Sequence, residues 1–296
     1  MKFSGSAARQ GRPEIKRLPI KTARLLTGAV LNTLLPPRCR VCGCSIARMT
    51  PETGVGENPE TCGETVSAKI LRAHLCAACA GTFTAVRTPL CTRCGKMFMS
   101  RRGPNHLCGH CSRQAWHFGK ARSAGIFDRG LATLVHRFKY NGRTGLAKPL
   151  GMLMRDVLQA NWRPAEIDVI VPVPLHGKRL RARGFNQSFL LAQTCSSDLA
   201  GWAGIPIEPD LVRRTRPTVS QTGLGRKERG ANLKDAFRVS PGRRVDNLRL
   251  LLVDDVFTTG ATVNECAGML LKAGAQRVDV LTLARTHTGY GKLGHG

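Results

Sequence analysis

The chain has 296 residues, 42% of them hydrophobic and 22% charged, enough to bury a sizeable core and to make two domains the expectation. Forty-six Lys and Arg against 19 Asp and Glu give a net charge of +27, spread through both halves of the chain and not gathered in one tail. Such a balance favours phosphate-rich partners through counterion release, and the lack of an apolar run of about 18 residues argues against a membrane-spanning role.

Residues 1–37 form a basic N-terminal segment. Its apolar stretch, 25–35, is interrupted by Thr27, Asn32 and Thr33 and runs into Pro36 and Pro37 instead of a small-residue cleavage site. Leu26, Val30, Thr33 and Leu34 fall at helical spacing, so the stretch reads as a helix docked on the body, and the protein as cytoplasmic.

Residues 38–118 read as a metal-binding domain. Ten of the 12 cysteines lie between Cys39 and Cys111, and eight of these make four C-x-x-C pairs: Cys39/Cys42, Cys76/Cys79, Cys91/Cys94 and Cys108/Cys111. Two thiolates so spaced on a tight turn can point at one Zn²⁺, and a second turn closes a tetrahedral site with no position left for water. Four pairs therefore imply two structural zinc ions in a double ribbon. Sequential pairing puts the first four of these cysteines in one site and the last four in the other. A crossed pairing, 39/42 with 91/94 and 76/79 with 108/111, is also compatible. Gly43 and Gly95 follow the second cysteine of their knuckles, where positive φ is expected. Cys44 and Cys62 are left over, and 45–75, rich in Gly, Glu, Thr and Pro, reads as an inserted loop.

Residues 119–296 read as an α/β sheet domain. Helices are predicted near 131–140, with Leu131, Leu134, Val135 and Phe138 on one face, near 146–159, and near 187–199. A strand over 167–173 runs into a basic turn carrying His176, Lys178, Arg179, Arg181 and Arg183. A second basic stretch, 213–229, has no apolar period and suits a mobile lid over a polyanion. Next comes an apolar run from Leu248, as in a strand buried on both faces of a parallel sheet, ending in Asp254 and Asp255. After Thr258-Thr259-Gly260-Ala261-Thr262, a helix follows with Val263, Cys266, Ala267, Leu270 and Leu271 on one face, and then a strand over 277–284. Strand, hydroxyl-bearing loop and helix N-terminus together form an anion site, since free amides and the dipole's positive end meet phosphate oxygens. There is no Walker G-x-x-x-x-G-K, and two carboxylates so near a phosphate must serve sugar hydroxyls or a metal ion.

The run Leu250-Leu-Leu-Val-Asp-Asp-Val-Phe-Thr-Thr-Gly-Ala-Thr262 resembles the phosphoribosyl-pyrophosphate motif of type I phosphoribosyltransferases. Carried over by position, the resemblance gives Asp254 and Asp255 to the ribose hydroxyls, and Thr258, Thr259, Gly260, Ala261 and Thr262 to the 5′-phosphate. The purine-salvage branch has a carboxylate at the position of Thr258, which this chain lacks. Two further segments, Ile170 to Gln187 and Arg216 to Asn232, resemble those of the ComF family, as does the order of parts from Pro36-Pro37-Arg-Cys39 through Lys139-Tyr140 to the Asp-Asp loop. That family joins zinc ribbons to a phosphoribosyltransferase-like domain and is associated with uptake of single-stranded DNA in natural competence.

The resemblance implies a type I phosphoribosyltransferase-like parallel sheet with N-terminal Cys₄ ribbons, binding phosphoribosyl pyrophosphate with Mg²⁺. His176, Arg179 and Arg183 would hold pyrophosphate, with Gln221, Arg226 and Arg229 in the lid. Turnover would make the protein a glycosyltransferase that displaces pyrophosphate at the anomeric carbon, with the acceptor left open. An alternative is a non-catalytic nucleic-acid-binding protein in which ribbons and basic face hold single-stranded DNA and the phosphate site senses a ligand. Competence proteins are the implied partners. Aromatic residues are only 5% of the chain, which leaves Phe98, Trp116 and Phe118 near the ribbons as the available stacking platforms.

Overall fold

The computed structural model describes residues 37–46, 70–72, 74–100, 102–140, 142, 144–197, 199–216 and 235–286. The predicted docking helix before Pro36, most of the 45–75 loop, and the lid residues Gln221, Arg226 and Arg229 lie outside them.

The sheet has four strands, β1 (Ala121–Ile126), β2 (Val169–Pro172), β5 (Arg249–Phe257) and β6 (Arg277–Arg285), in the order β1-β6-β5-β2 and parallel throughout. A parallel sheet needs crossovers, and the chain supplies helices α2 (Arg129–Tyr140), α3 (Ala147–Asn161), α4 (Gly177–Arg183), α5 (Gln187–Ser196) and α6 (Ala261–Lys272). A separate antiparallel pair, β3 (Val212–Arg214) and β4 (Phe237–Val239), brackets residues 215–236. A short helix α1 (Ala77–Gly81) belongs to the cysteine-rich part.

The pleat divides β5 between two cores. Leu251 and Val253 join Ile170, Leu281 and Leu283 against Leu134, Phe138, Leu150 and Leu191. Leu250 and Leu252 join Val171 and Val280 on the other side, against Val263, Ala267 and Leu270 of α6. This is why the run from Leu248 is apolar at consecutive positions instead of alternating.

The cysteine-rich part is built onto the sheet. Residues 84–86 run antiparallel beside the free edge of β1: the Val86 amide donates to the Ala124 carbonyl at 3.0 Å and the Ile126 amide to the Thr84 carbonyl at 2.8 Å. An open edge is thereby covered. Cys39, Val41, Leu71 and Leu75 enter the first core, while Cys91, Cys94, Cys108 and Cys111 enter the second. Arg285, at the end of β6 and only 4% exposed, donates from Nη1 to the Cys94 carbonyl.

Two expectations change. The basic turn after β2 is a helix, α4, because His176 Nδ1 accepts from the Lys178 amide at 3.3 Å and caps its start, and Gly184 at φ 81° closes it. Trp116 and Phe118 are core residues, 8% and 1% exposed, packed at centroid distances of 6.4 and 6.0 Å from Phe257.

Candidate functional site

The carboxyl ends of the strands, where ligands sit in open α/β sheets, open into a crevice of about 430 Å³. It gathers Asp254, Asp255, Thr258 and Thr262 from the β5–α6 region and Arg179 and Arg183 from α4. Lys139 and Tyr140 from the end of α2, Gln187 from α5 and Arg214 from β3 complete it. His176 is spent as the α4 cap and is not part of the lining.

The strand runs on past the predicted end to Phe257, so Asp254 is buried within β5, three residues before its end, where its Oδ1 accepts from the Ser188 hydroxyl at 3.0 Å and from the Asp255 amide at 2.9 Å. Burial, and next the Asp255 carboxylate beside it, push Asp254 up from the usual carboxyl range to about 7. Burial acts on Asp255 in the same sense, but the Lys139 ammonium overrides it and holds Asp255 low. Lys139 and Asp255 form an ion pair. Arg183 donates to Gln187 Oε1 and lies over the Tyr140 ring, 5.1 Å from its centroid, so helices α2, α4 and α5 fix this cation together. Burial lowers the Arg214 pKa from its ordinary value.

The Asp-Asp loop turns through Gly260 at φ 80° and enters α6, with the Asn264 amide donating to the Gly260 carbonyl at 2.9 Å. A Cβ at Gly260 would lie 2.5 Å from Phe257 Cζ and 3.0 Å from Trp116 Cζ3, so sterics as well as φ require glycine. Thr259 Oγ1 accepts from the Ala261 amide at 3.4 Å, and the Thr286 hydroxyl donates to the Thr258 carbonyl at 3.0 Å. Thr258 and Thr262 reach the crevice lining, while Thr259, Gly260 and Ala261 supply the turn behind it.

Lys139 and Ser188 are site residues that the sequence did not single out, and Arg214, expected in the mobile stretch 213–229, is instead held by strand β3 in the crevice wall. Lys139 and Tyr140 end an amphipathic helix just before Gly142, a signal available from spacing, but nothing in the sequence aims that helix end at Asp255. Ser188 lies in the first turn of α5, 66 positions before its partner.

The thiols form two groups. Cys91, Cys94, Cys108 and Cys111 are all buried, with their sulfurs within 4.8 Å of one another, and Cys94 and Cys108 are 3.9 Å apart. Four thiolates at about 2.3 Å from one Zn²⁺ have sulfur–sulfur edges of about 3.8 Å, so this set fits a tetrahedral ion. Gly95 at φ 67° and Gly43 at φ 81° have the knuckle conformation their positions suggest. In the first group the tetrad is Cys39, Cys42, Cys44 and Cys76, with Cys44 where Cys79 was expected. Cys44 enters because the Cys39 amide donates to the Cys44 carbonyl at 2.7 Å, folding the knuckle back so that the Cys42 and Cys44 sulfurs are 3.2 Å apart. Cys62 lies outside the described residues. Phe98 stacks on His106, with centroids 3.9 Å apart and planes 8° off parallel. Among the described residues no helix is long and apolar enough to cross a membrane.

No family model matches the chain. It is 37% identical over 216 residues to DNA utilization protein YhgH of Salmonella typhimurium, covering 72% of this chain and 90% of that protein. It is 32% identical over 224 residues to Competence protein F of Haemophilus influenzae, covering 71% and 96%. It is 24% identical over 219 residues to Competence protein ComFC of Bacillus subtilis, covering 72% and 84%. Among solved structures, a purine phosphoribosyltransferase from Pyrococcus horikoshii matches 48% of this chain and 75% of its own, at 19% identity and a TM-score of 0.28.

Proposed function

The chain belongs to the ComF family, and on that footing we propose that its crevice binds phosphoribosyl pyrophosphate with Mg²⁺ and that the protein serves the handling of incoming single-stranded DNA. One observation carries the ligand reading: two carboxylates near the carboxyl end of β5 and a threonine-bearing loop at a helix N-terminus face Lys139, Arg179, Arg183 and Arg214 across one crevice. Carboxylates suit ribose hydroxyls and the metal, the loop suits the 5′-phosphate, and the cations suit pyrophosphate. Binding would draw Lys139 from Asp255 to the pyrophosphate. If turnover occurs, the same cations neutralise the leaving group, which makes the protein a phosphoribosyltransferase. We further propose a division into a double zinc ribbon at 38–118 and a sheet domain at 119–296, two structural zinc ions on the cysteine groups, and a cytoplasmic location. Calorimetric titration with phosphoribosyl pyrophosphate and Mg²⁺ tests the reading; one saturable site is expected, and absence of heat at millimolar ligand sinks it.

The DNA role draws support from the net charge of +27 and from the names of the relatives, two competence proteins and a DNA utilization protein. If Arg179 and Arg183 neutralise phosphates, log affinity for single strands falls with log salt at about 0.7 per phosphate contacted, and replacing both by Ala flattens the slope. Phosphoribosyl pyrophosphate then competes with DNA. Independent binding of both ligands with an unchanged slope would move the DNA site elsewhere.

A further inference from the structure

Residues 116–118 lead from the cysteine-rich part to β1 and press on the start of α6. Trp116 packs against Gly260, where an added Cβ would lie 3.0 Å from the indole Cζ3. The His117 amide donates to Asn264 Oδ1 at 2.8 Å, and Asn264 in turn donates from its own amide to the Gly260 carbonyl. The His117 ring lies against Gly268, where a Cβ would come within 2.8 Å of Nδ1. Glycine weakens a helix interior, so the close approach of this ring is a physical reason for Gly268 in the middle of α6.

The segment is itself held in place. Arg93 donates from Nη1 to the Trp116 carbonyl at 3.3 Å. Trp116, Phe118 and Phe257 form one ring cluster, with centroid distances of 5.0, 6.0 and 6.4 Å. Phe257 immediately precedes the threonine loop. Arg285 lies over the Phe257 ring, 5.4 Å from its centroid, while bonded to the Cys94 carbonyl, and the neighbouring Thr286 donates to the Thr258 carbonyl. Trp116 is 8% exposed, and its buried indole N–H has no hydrogen-bond partner among the described residues, so ring contacts hold it.

We propose that Trp116 is a positioning residue for the phosphate loop: its ring backs Gly260 and keeps the amides and threonines of residues 258–262 converged on the 5′-phosphate. The inference rests on the ligand reading given above. Trp116 does not line the crevice, so it acts through the loop and touches no ligand. Donors bind an anion best when they are fixed before it arrives, and the stiff body behind this loop belongs to the cysteine-rich part as well as to the sheet. Lys139, Arg179, Arg183 and Arg214, which face the pyrophosphate in the same reading, stand on other elements and do not depend on this wall.

The test uses the full-length protein and divides the ligand into its halves, with calorimetry on ribose 5-phosphate, on pyrophosphate with Mg²⁺, and on phosphoribosyl pyrophosphate with Mg²⁺. Trp116→Ala is expected to weaken ribose 5-phosphate and phosphoribosyl pyrophosphate by about tenfold or more, the scale of lost preorganisation, while pyrophosphate binds as in the wild type. Trp116→Phe, which keeps an aromatic wall, should recover most of the loss. Of the three tryptophans, Trp162 and Trp202 lie in the core on the other side of the sheet. Ribose 5-phosphate should therefore change the tryptophan emission of the wild type, and hardly that of Trp116→Phe. Wild-type affinity for ribose 5-phosphate in Trp116→Ala overturns the proposal. Equal weakening of both halves also overturns it, because that marks general loosening. An emission response that persists in Trp116→Phe overturns it too, and decides the matter if Trp116→Ala does not fold. A wild-type protein that binds neither phosphoribosyl pyrophosphate nor ribose 5-phosphate overturns the ligand reading and the positioning with it.

Discussion

Replacing Asp254 and Asp255 together by Asn is expected to weaken phosphoribosyl-pyrophosphate binding by about a hundredfold or more, the scale of losing charged hydrogen-bond partners in a desolvated site. The fold should survive. The amide side chain that replaces the Asp254 carboxylate still offers an oxygen to the Ser188 hydroxyl and to the backbone amide of the next residue, the two donors that hold Asp254 in place. The effect on stability also has a definite sign. A carboxyl raised from 3.8 to about 7 in the folded chain holds its proton there while the unfolded chain has lost it, so Asp254 favours folding less and less as pH rises from 3.8 to about 7. Asp254→Asn removes that dependence. Its stability relative to wild type should therefore climb over this range and stay level above it, as thermal melts across a pH series would show. A double variant with wild-type affinity would remove the phosphoribosyl reading.

Metal removal is expected to act in two stages with different consequences. The first thiol group is open to solvent at Cys42 and Cys44, so a chelator should strip it first and disturb residues 37–46 and the region of α1. The second is buried in the same core as Val171, Leu252 and Val280 of the sheet, and Arg285 at the end of β6 is tied to the Cys94 carbonyl. Its loss should loosen β1 and β6 as well as the knuckle, because structural zinc supplies folding free energy on the order of 10 kcal/mol. Zinc release followed with a colorimetric chelator, alongside amide exchange of residues 121–126 and 277–285, separates the stages. Release in a single phase would show that the two sites do not differ in accessibility, and unchanged exchange in both strands after both metals have gone would show that the ribbons and the sheet are energetically independent.

Much of the architecture was legible in the chain because short-range rules determine it. The apolar run ending at Asp254-Asp255, the α6 stripe at Val263, Cys266, Ala267 and Leu270, and the C-x-x-C knuckles are patterns of period and spacing, and they appear as β5, α6 and paired thiols. Local rules also misled. The residues from His176 to Arg183 read as a basic turn, yet they form a helix with a side-chain cap at one end and Gly184 at the other.

The sequence by itself determined which chemistry the chain carries: thiols in pairs, a carboxylate pair before a threonine-rich loop, and a large excess of cations. Only the tertiary structure decided which groups meet. Lys139 reaches Asp255 across 116 positions and Ser188 reaches Asp254 across 66, because parallel strands bring their carboxyl ends to one side whatever the length of chain between them. Cys44, two residues past a knuckle and outside every C-x-x-C pair, joins a set that could hold a metal ion by a local turn, the Cys39 amide donating to its carbonyl, while Cys76 comes to that set from 32 positions further on. Spacing specifies what a turn can present, whereas the neighbours of that turn are set by packing of the two cores on either side of the sheet, and no local pattern encodes that packing.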